Sequence, residues 1–153
     1  MKRFLTPLAL VFVLFLAAPV RAASTPTDAN AFGIELCPES ICGSAIFTGI
    51  LSGTVAGVNT RLGSFIVSVL HDDLGPNPGD IALINSGGAF QLRAGLRTIR
   101  GTITGGQLVT NGDGTFNVLM QLVSSTGQSF LFVGVLSHNT FPPTIVGHIV
   151  SLD

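Results

Sequence analysis

The chain holds only three histidines, and one of them opens the run His71-Asp72-Asp73. A carboxylate beside an imidazole can orient it, and the two together make a general base or half of a metal site. A second histidine closes a similar stretch: Val69-Leu70-His71 and Val135-Leu136-Ser137-His138 each end a strand-like run on an imidazole. His71, Asp72 and His138 are therefore the candidate catalytic residues. Whether the two rings share a rim depends on strand parity, and on whether IALIN (81–85) counts as a strand of its own. Capping of the following loop by Asp72 and Asp73 is the plainer use of those carboxylates.

The third histidine belongs to the stretch SHNTFPPTIVGH, residues 137–148. Pro142 and Pro143 cannot donate ladder hydrogen bonds, so they fall in a turn over about Asn139 to Thr144. His138 then sits at the mouth of the turn, while His148 lies down the return strand, opposite a residue near Val135. Zinc needs its ligands about 2 Å from a common centre, so this pair does not make a zinc site. The loop DDLGPNPGD offers oxygens from Asp72, Asp73, Asn77 and Asp80 but lacks EF-hand spacing. No metal site and no cofactor is expected.

Arg93, Arg97 and Arg100 are the candidate ligand-binding cations. Arg93 and Arg97 flank a turn at Ala94-Gly95-Leu96, where cross-strand neighbours would form a small anion site. An Arg100 pointing into a core would need a partner. The chain carries no G-x-S-x-G, H-E-x-x-H or phosphate-loop motif, and no Trp or Tyr to stack on sugars.

The N-terminus reads as an address. Lys2 and Arg3 precede an apolar run, and Val20-Arg21-Ala22 supplies the small residues of a cleavage site, so residues 1–22 form a secretory signal peptide. Residues 23–43 read as a leader carrying a Cys37–Cys42 disulfide that staples the chain before the first strand, as an oxidising compartment favours. Residues 44–153 form a single β domain. After cleavage four arginines face eight acids, a formal charge of −4. Such a chain suits neither nucleic acid nor an anionic membrane. Secreted or periplasmic location follows, with no stable membrane span in the mature chain and an oligomeric state that the sequence leaves open.

From Ser44 onward the texture is alternating and broken by Gly, Asn and Pro, with no helical stripe. Turns are expected at GVNTR, DDLGPNPGD, Gly87-Gly88, Gly95, Gly105-Gly106, Asn111–Gly114, SSTGQ and NTFPP, giving eight or nine strands. Four runs, Phe47-Thr48-Gly49, Ile99-Arg100-Gly101, Phe132-Val133-Gly134 and Ile145-Val146-Gly147, place a glycine beside a bulky residue on one strand face. Glycines recurring at similar depth suit a closed, strongly coiled sheet. The fold class is all-β: a small antiparallel, mostly up-and-down β-barrel of about eight strands, with a two-sheet β-sandwich as the alternative.

The functional expectation is a secreted, non-enzymatic barrel module that binds a small hydrophobic ligand or serves a structural role. The alternative is a small barrel enzyme (isomerase, cyclase or hydrolase) using a rim histidine. A third reading is an eight-stranded outer-membrane barrel.

Overall fold

The computed structural model describes residues 25–152. They form a closed antiparallel barrel in which the eight strands follow one another in sequence order. The strands are β1 Asp28–Cys37, β2 Ala45–Val55, β3 Val58–His71, β4 Ile81–Ala94, β5 Arg97–Thr110, β6 Thr115–Ser124, β7 Ser129–Ser137 and β8 Thr144–Ser151. One helical turn, α1 Glu39–Cys42, links the first two. β1 closes the ring on β8, from Asp28 opposite Val150 to Ile34 opposite Thr144. The expected up-and-down barrel is the fold, and the continuous ring displaces the sandwich alternative. The signal-peptide assignment, residues 1–22, lies outside the described residues.

Two expectations about the strands need correction. The leader assigned to residues 23–43 contains β1, so the β domain begins before Ser44. The inward positions of β1 are Ala29, Ala31 and Gly33, whereas its large apolar side chains Phe32 and Ile34 point outward. That alternation is inverted relative to an ordinary half-buried strand. It fits because large rings from elsewhere fill the lumen: a side chain on Gly33 would meet the Phe65 ring at 2.5 Å.

The second correction concerns the double glycines. Gly87-Gly88 and Gly105-Gly106 do not reverse the chain; each lies inside a continuous strand at a register shift. Gly87 and Gly106 adopt φ of 111° and 153°, values that L side chains avoid, so these sites bend the strand into a bulge instead of ending it. The first hairpin turns at Ala56-Gly57, slightly earlier than expected.

The glycines that follow bulky residues behave as anticipated for a coiled barrel. Gly134 pairs with Gly147 across β7 and β8. A Cβ on Gly134 would lie 2.5 Å from the Val146 carbonyl oxygen and 2.7 Å from the Phe132 ring. The absent side chains thus admit both the neighbouring backbone and an aromatic ring. Phe90 and Phe130 meet edge to face at 6.0 Å inside the lumen. Val55, Ala94 and Phe130 are almost fully buried towards the end where β1 starts. There the chain at Pro26 and Thr27 is tied across the base: Gly57 N donates to Pro26 O and Ser151 N to Thr27 O, both at 2.8 Å. The barrel is packed at this lower end and open at the other.

Candidate functional site

Strand alternation decides what faces the open end. Inward positions on β3 run Phe65, Val67, Val69, and the next is His71. On β7 they run Phe130, Phe132, Gly134, Leu136, and the next is His138. β3 and β7 both run towards the upper end, because β4 and β5 are each one strand and not two. The two histidines therefore share a rim, and both line one cavity of about 380 Å³. Its walls are apolar: Phe47, Val69, Ile84 and Leu108 from β2 to β5 face Val118, Met120, Leu136 and Ile145 from β6 to β8. Below Met120 and Ile145 a smaller void of about 30 Å³ continues the lumen towards Phe65, Phe90 and Phe132.

Polar groups appear only at the mouth. Continuing the inward positions of β1 one step brings Glu35 into the barrel, where it is 9% exposed. Its carboxylate faces His138 Nε2 at 3.8 Å, and its backbone N–H donates to Pro143 O at 2.9 Å. His138 is further located by the Phe116 ring at 5.1 Å and by its own N–H, which donates to Gly114 O at 2.9 Å. On the other side, Glu39 of α1 lies against His71: Oε2 is 3.3 Å from Nε2 and accepts the His71 backbone N–H at 3.2 Å. His71 Nδ1 sits 2.7 Å from the Asp72 carbonyl oxygen. A carbonyl only accepts, so Nδ1 is the donor there and Nε2 is the end turned to Glu39. The Cys37–Cys42 disulfide, with Cα atoms 6.1 Å apart, closes the link that carries Glu39.

The remaining candidates lie elsewhere. Asp72 turns away from the cavity: its Oδ1 accepts from Asn85 Nδ2 at 3.1 Å, and it is Asp73 that lines the mouth. Asp80 is held within its own loop, accepting from Asn77 N at 2.9 Å. Among the described residues, no three or more His, Cys, Asp and Glu side chains converge as a metal site would need. His148 is on the outer wall, its Nε2 3.0 Å from Asp28, and it pairs with Val133, two residues from the expected position.

Arg93, Arg97 and Arg100 are not brought to the cavity. All three are exposed near the lower end. Arg93 lies opposite Thr98, and Arg97 opposite Ala94, so the two arginines are not direct cross-strand partners. Arg100 faces out, donating from Nε to Gln91 Oε1 at 2.8 Å.

Sequence reading missed Glu35 and Glu39, which complete both histidine pairs. The signal for Glu35 was present in Ala29-x-Ala31-x-Gly33-x-Glu35, a run of small inward residues ending on an acid. Glu39 carries no such periodic signal, since a single helical turn between two cysteines positions it. Compared with protein-family models, curated proteins and solved structures, the chain matches none.

Proposed function

We propose that the mature protein is an exported β-barrel module that binds a small hydrophobic ligand in its lumen. One observation carries the reading: a one-mouthed cavity of about 380 Å³ with apolar walls and polar groups confined to its rim. That volume lies within the range of small-molecule sites. With each atom taking roughly the 30 Å³ share of a liquid water, it holds about a dozen heavy atoms. The signal-like residues 1–22 support export, and the Cys37–Cys42 disulfide is consistent with an oxidising compartment. A native mass spectrum of the chain exported through its own signal tests the proposal. A bound species of fixed small mass is expected, and a chain that stays bare when offered small apolar compounds would count against it.

A second reading keeps the same cavity but makes it an active site. Two Glu–His pairs, Glu39–His71 and Glu35–His138, face one apolar pocket. Such pairs suit proton transfer to and from a bound substrate, as an isomerase or cyclase needs. Alanine at both histidines separates the readings: an enzyme loses turnover, whereas a binder keeps most of its affinity. The outer-membrane reading draws little support. The outer wall over β4 to β6 is largely polar, with Gln91, Arg100, Thr102, Gln107, Asn117 and Gln121 exposed or half-buried beside exposed Ile81 and Leu83. A lipid-facing barrel needs an apolar belt all round.

A further inference from the structure

Charge is segregated along the barrel axis. Of the seven acids among the described residues, Glu35, Glu39, Asp72, Asp73, Asp80 and Asp113 lie at the open end, at strand tops or in the loops that join them, and only Asp28, beside His148, lies at the lower end. The four arginines of the described residues, Arg61, Arg93, Arg97 and Arg100, all lie in the lower half, in the first turns of β3 and β5 or at the end of β4. Three of the acids, Glu35, Glu39 and Asp73, line the cavity mouth itself, with two histidines and no arginine or lysine among its lining residues. Low-dielectric walls focus the field of such a mouth onto whatever enters it.

Resting on the ligand-binding reading, we infer that the cavity selects an amphiphile with a cationic, amine-type head and a short apolar tail, and rejects carboxylates. The tail fills the space between Val69, Leu108, Met120 and Leu136. The head stays at the rim, where Glu35, beside His138, and Glu39, beside His71, both line the mouth. A fatty carboxylate of the same length would bring a fourth negative charge beside three, and the nearest arginines are at the far end of the barrel.

Calorimetric titration of the full exported chain with octylamine, octanol and octanoate tests this directly. Octylamine is expected to bind at least tenfold more tightly than octanoate at about 10 mM salt, with octanol between them. The gap should narrow as the screening length falls from about 30 Å to about 10 Å between 0.01 and 0.1 M salt. A Glu35→Gln, Glu39→Gln variant that melts like the parent should lose most of the amine advantage and keep its octanol affinity within about twofold. Equal affinity for all three overturns the charge selection while leaving the apolar cavity reading intact. Failure of octanol to bind overturns the cavity reading, and the selection with it. Preference for octanoate overturns the selection and points to anion recognition by His71 and His138.

A separate observation concerns the outer wall. Val135, Val146, Phe32 and Ile50 are consecutive cross-strand neighbours over β7, β8, β1 and β2. With Val133 and Ile66 beside them, all six remain between 41% and 52% exposed. Half-exposed side chains of this size leave roughly 500 Å² of contiguous apolar surface, as large as the patches that mark interaction sites on monomers. With its rim of Thr48, Asn30 and Ser64 it approaches the about 800 Å² per partner of a standard interface. We infer that this half-wall packs against a second copy of the chain, one patch meeting its symmetry mate. Sedimentation without detergent should show a dimer, and Phe32→Glu with Val146→Lys should return it to monomer without changing its circular dichroism. A monomer at all concentrations to about 100 μM, or solubility that requires detergent, would overturn this.

Discussion

Ala45 offers the sharpest test of the cavity, because the cavity reading gives stability and affinity opposite signs there. Ala45 lies on β2, is 2% exposed, and lines the upper cavity next to Val69. Ala45→Leu adds three heavy atoms, or roughly 90 Å³ at the liquid share of about 30 Å³ each. That is about a quarter of the 380 Å³ available. Filling empty apolar space with three methylene-sized groups stabilises by about 0.8 kcal/mol each, so up to about 2 kcal/mol before any strain. In a domain of this size, 1 kcal/mol moves the melting temperature by about 4 °C. Urea titration and thermal melts should therefore show equal or greater stability, with a gain of up to about 8 °C. Octanol affinity measured on the same sample should fall at least tenfold. Destabilisation by more than about 1 kcal/mol would mean that the space around Ala45 is already filled, as overpacked cores behave. The lumen would then be core, and the binding proposal would lose its basis.

The remaining predictions concern the elements that hold the cavity. Gly134→Ala should destabilise by about 2 kcal/mol or more in urea unfolding, since its methyl meets the Val146 carbonyl and the Phe132 ring within 2.7 Å; a neutral result would show that β7 and β8 can move apart. Replacing both Cys37 and Cys42 by serine should cost about 2 kcal/mol, the loop-closure value for a short ring, and should weaken amine binding more than octanol binding because α1 carries Glu39. Asp113 accepts hydrogen bonds from the Thr115 hydroxyl and backbone N–H, which hold its carboxyl below its ordinary value of 3.8. Its folded value lies below its unfolded one, so the small stabilisation is full above pH 4 and disappears as pH falls through the folded midpoint. Carboxyl NMR titration should place that midpoint below 3.8, and Thr115→Ala should raise it. Substituting Arg93, Arg97 and Arg100 together by glutamine should leave ligand affinity unchanged within twofold, since none of them approaches the cavity.

Much of this architecture was legible because strands alternate. The inward sets Phe47-x-x-x-Leu51 and Phe65-x-Val67-x-Val69-x-His71 were readable directly, and with them the direction of His71. The strand total is also within range, but through differences that partly offset: the two double glycines split β4 and β5, and β1 is left out. Gly87-Gly88 and Gly105-Gly106 look like turns in sequence, because a pair of glycines permits either a reversal or a bulge; only pairing with neighbouring strands selects the bulge. β1 escapes such a reading because its inner face is Ala, Ala and Gly, small so that the Phe65 ring can lie against it. A residue-by-residue scan for large inward side chains cannot detect a strand whose contribution is space. Glu35 was hidden with it. The arginines stand out in the sequence as rare cations, yet β4 and β5 place Arg93, Arg97 and Arg100 on the outside and at the opposite end.

The central claim is that the apolar lumen, entered past Glu35, Glu39, His71 and His138, is a binding site. Methyl-resolved NMR of the full chain titrated with octanol addresses it most directly. The account predicts saturable shifts at Val69, Leu108, Val118, Met120 and Leu136, with the outer-wall methyls of Val133, Val135 and Val146 unmoved. Shifts confined to those outer methyls, or none at all at millimolar octanol, would contradict it.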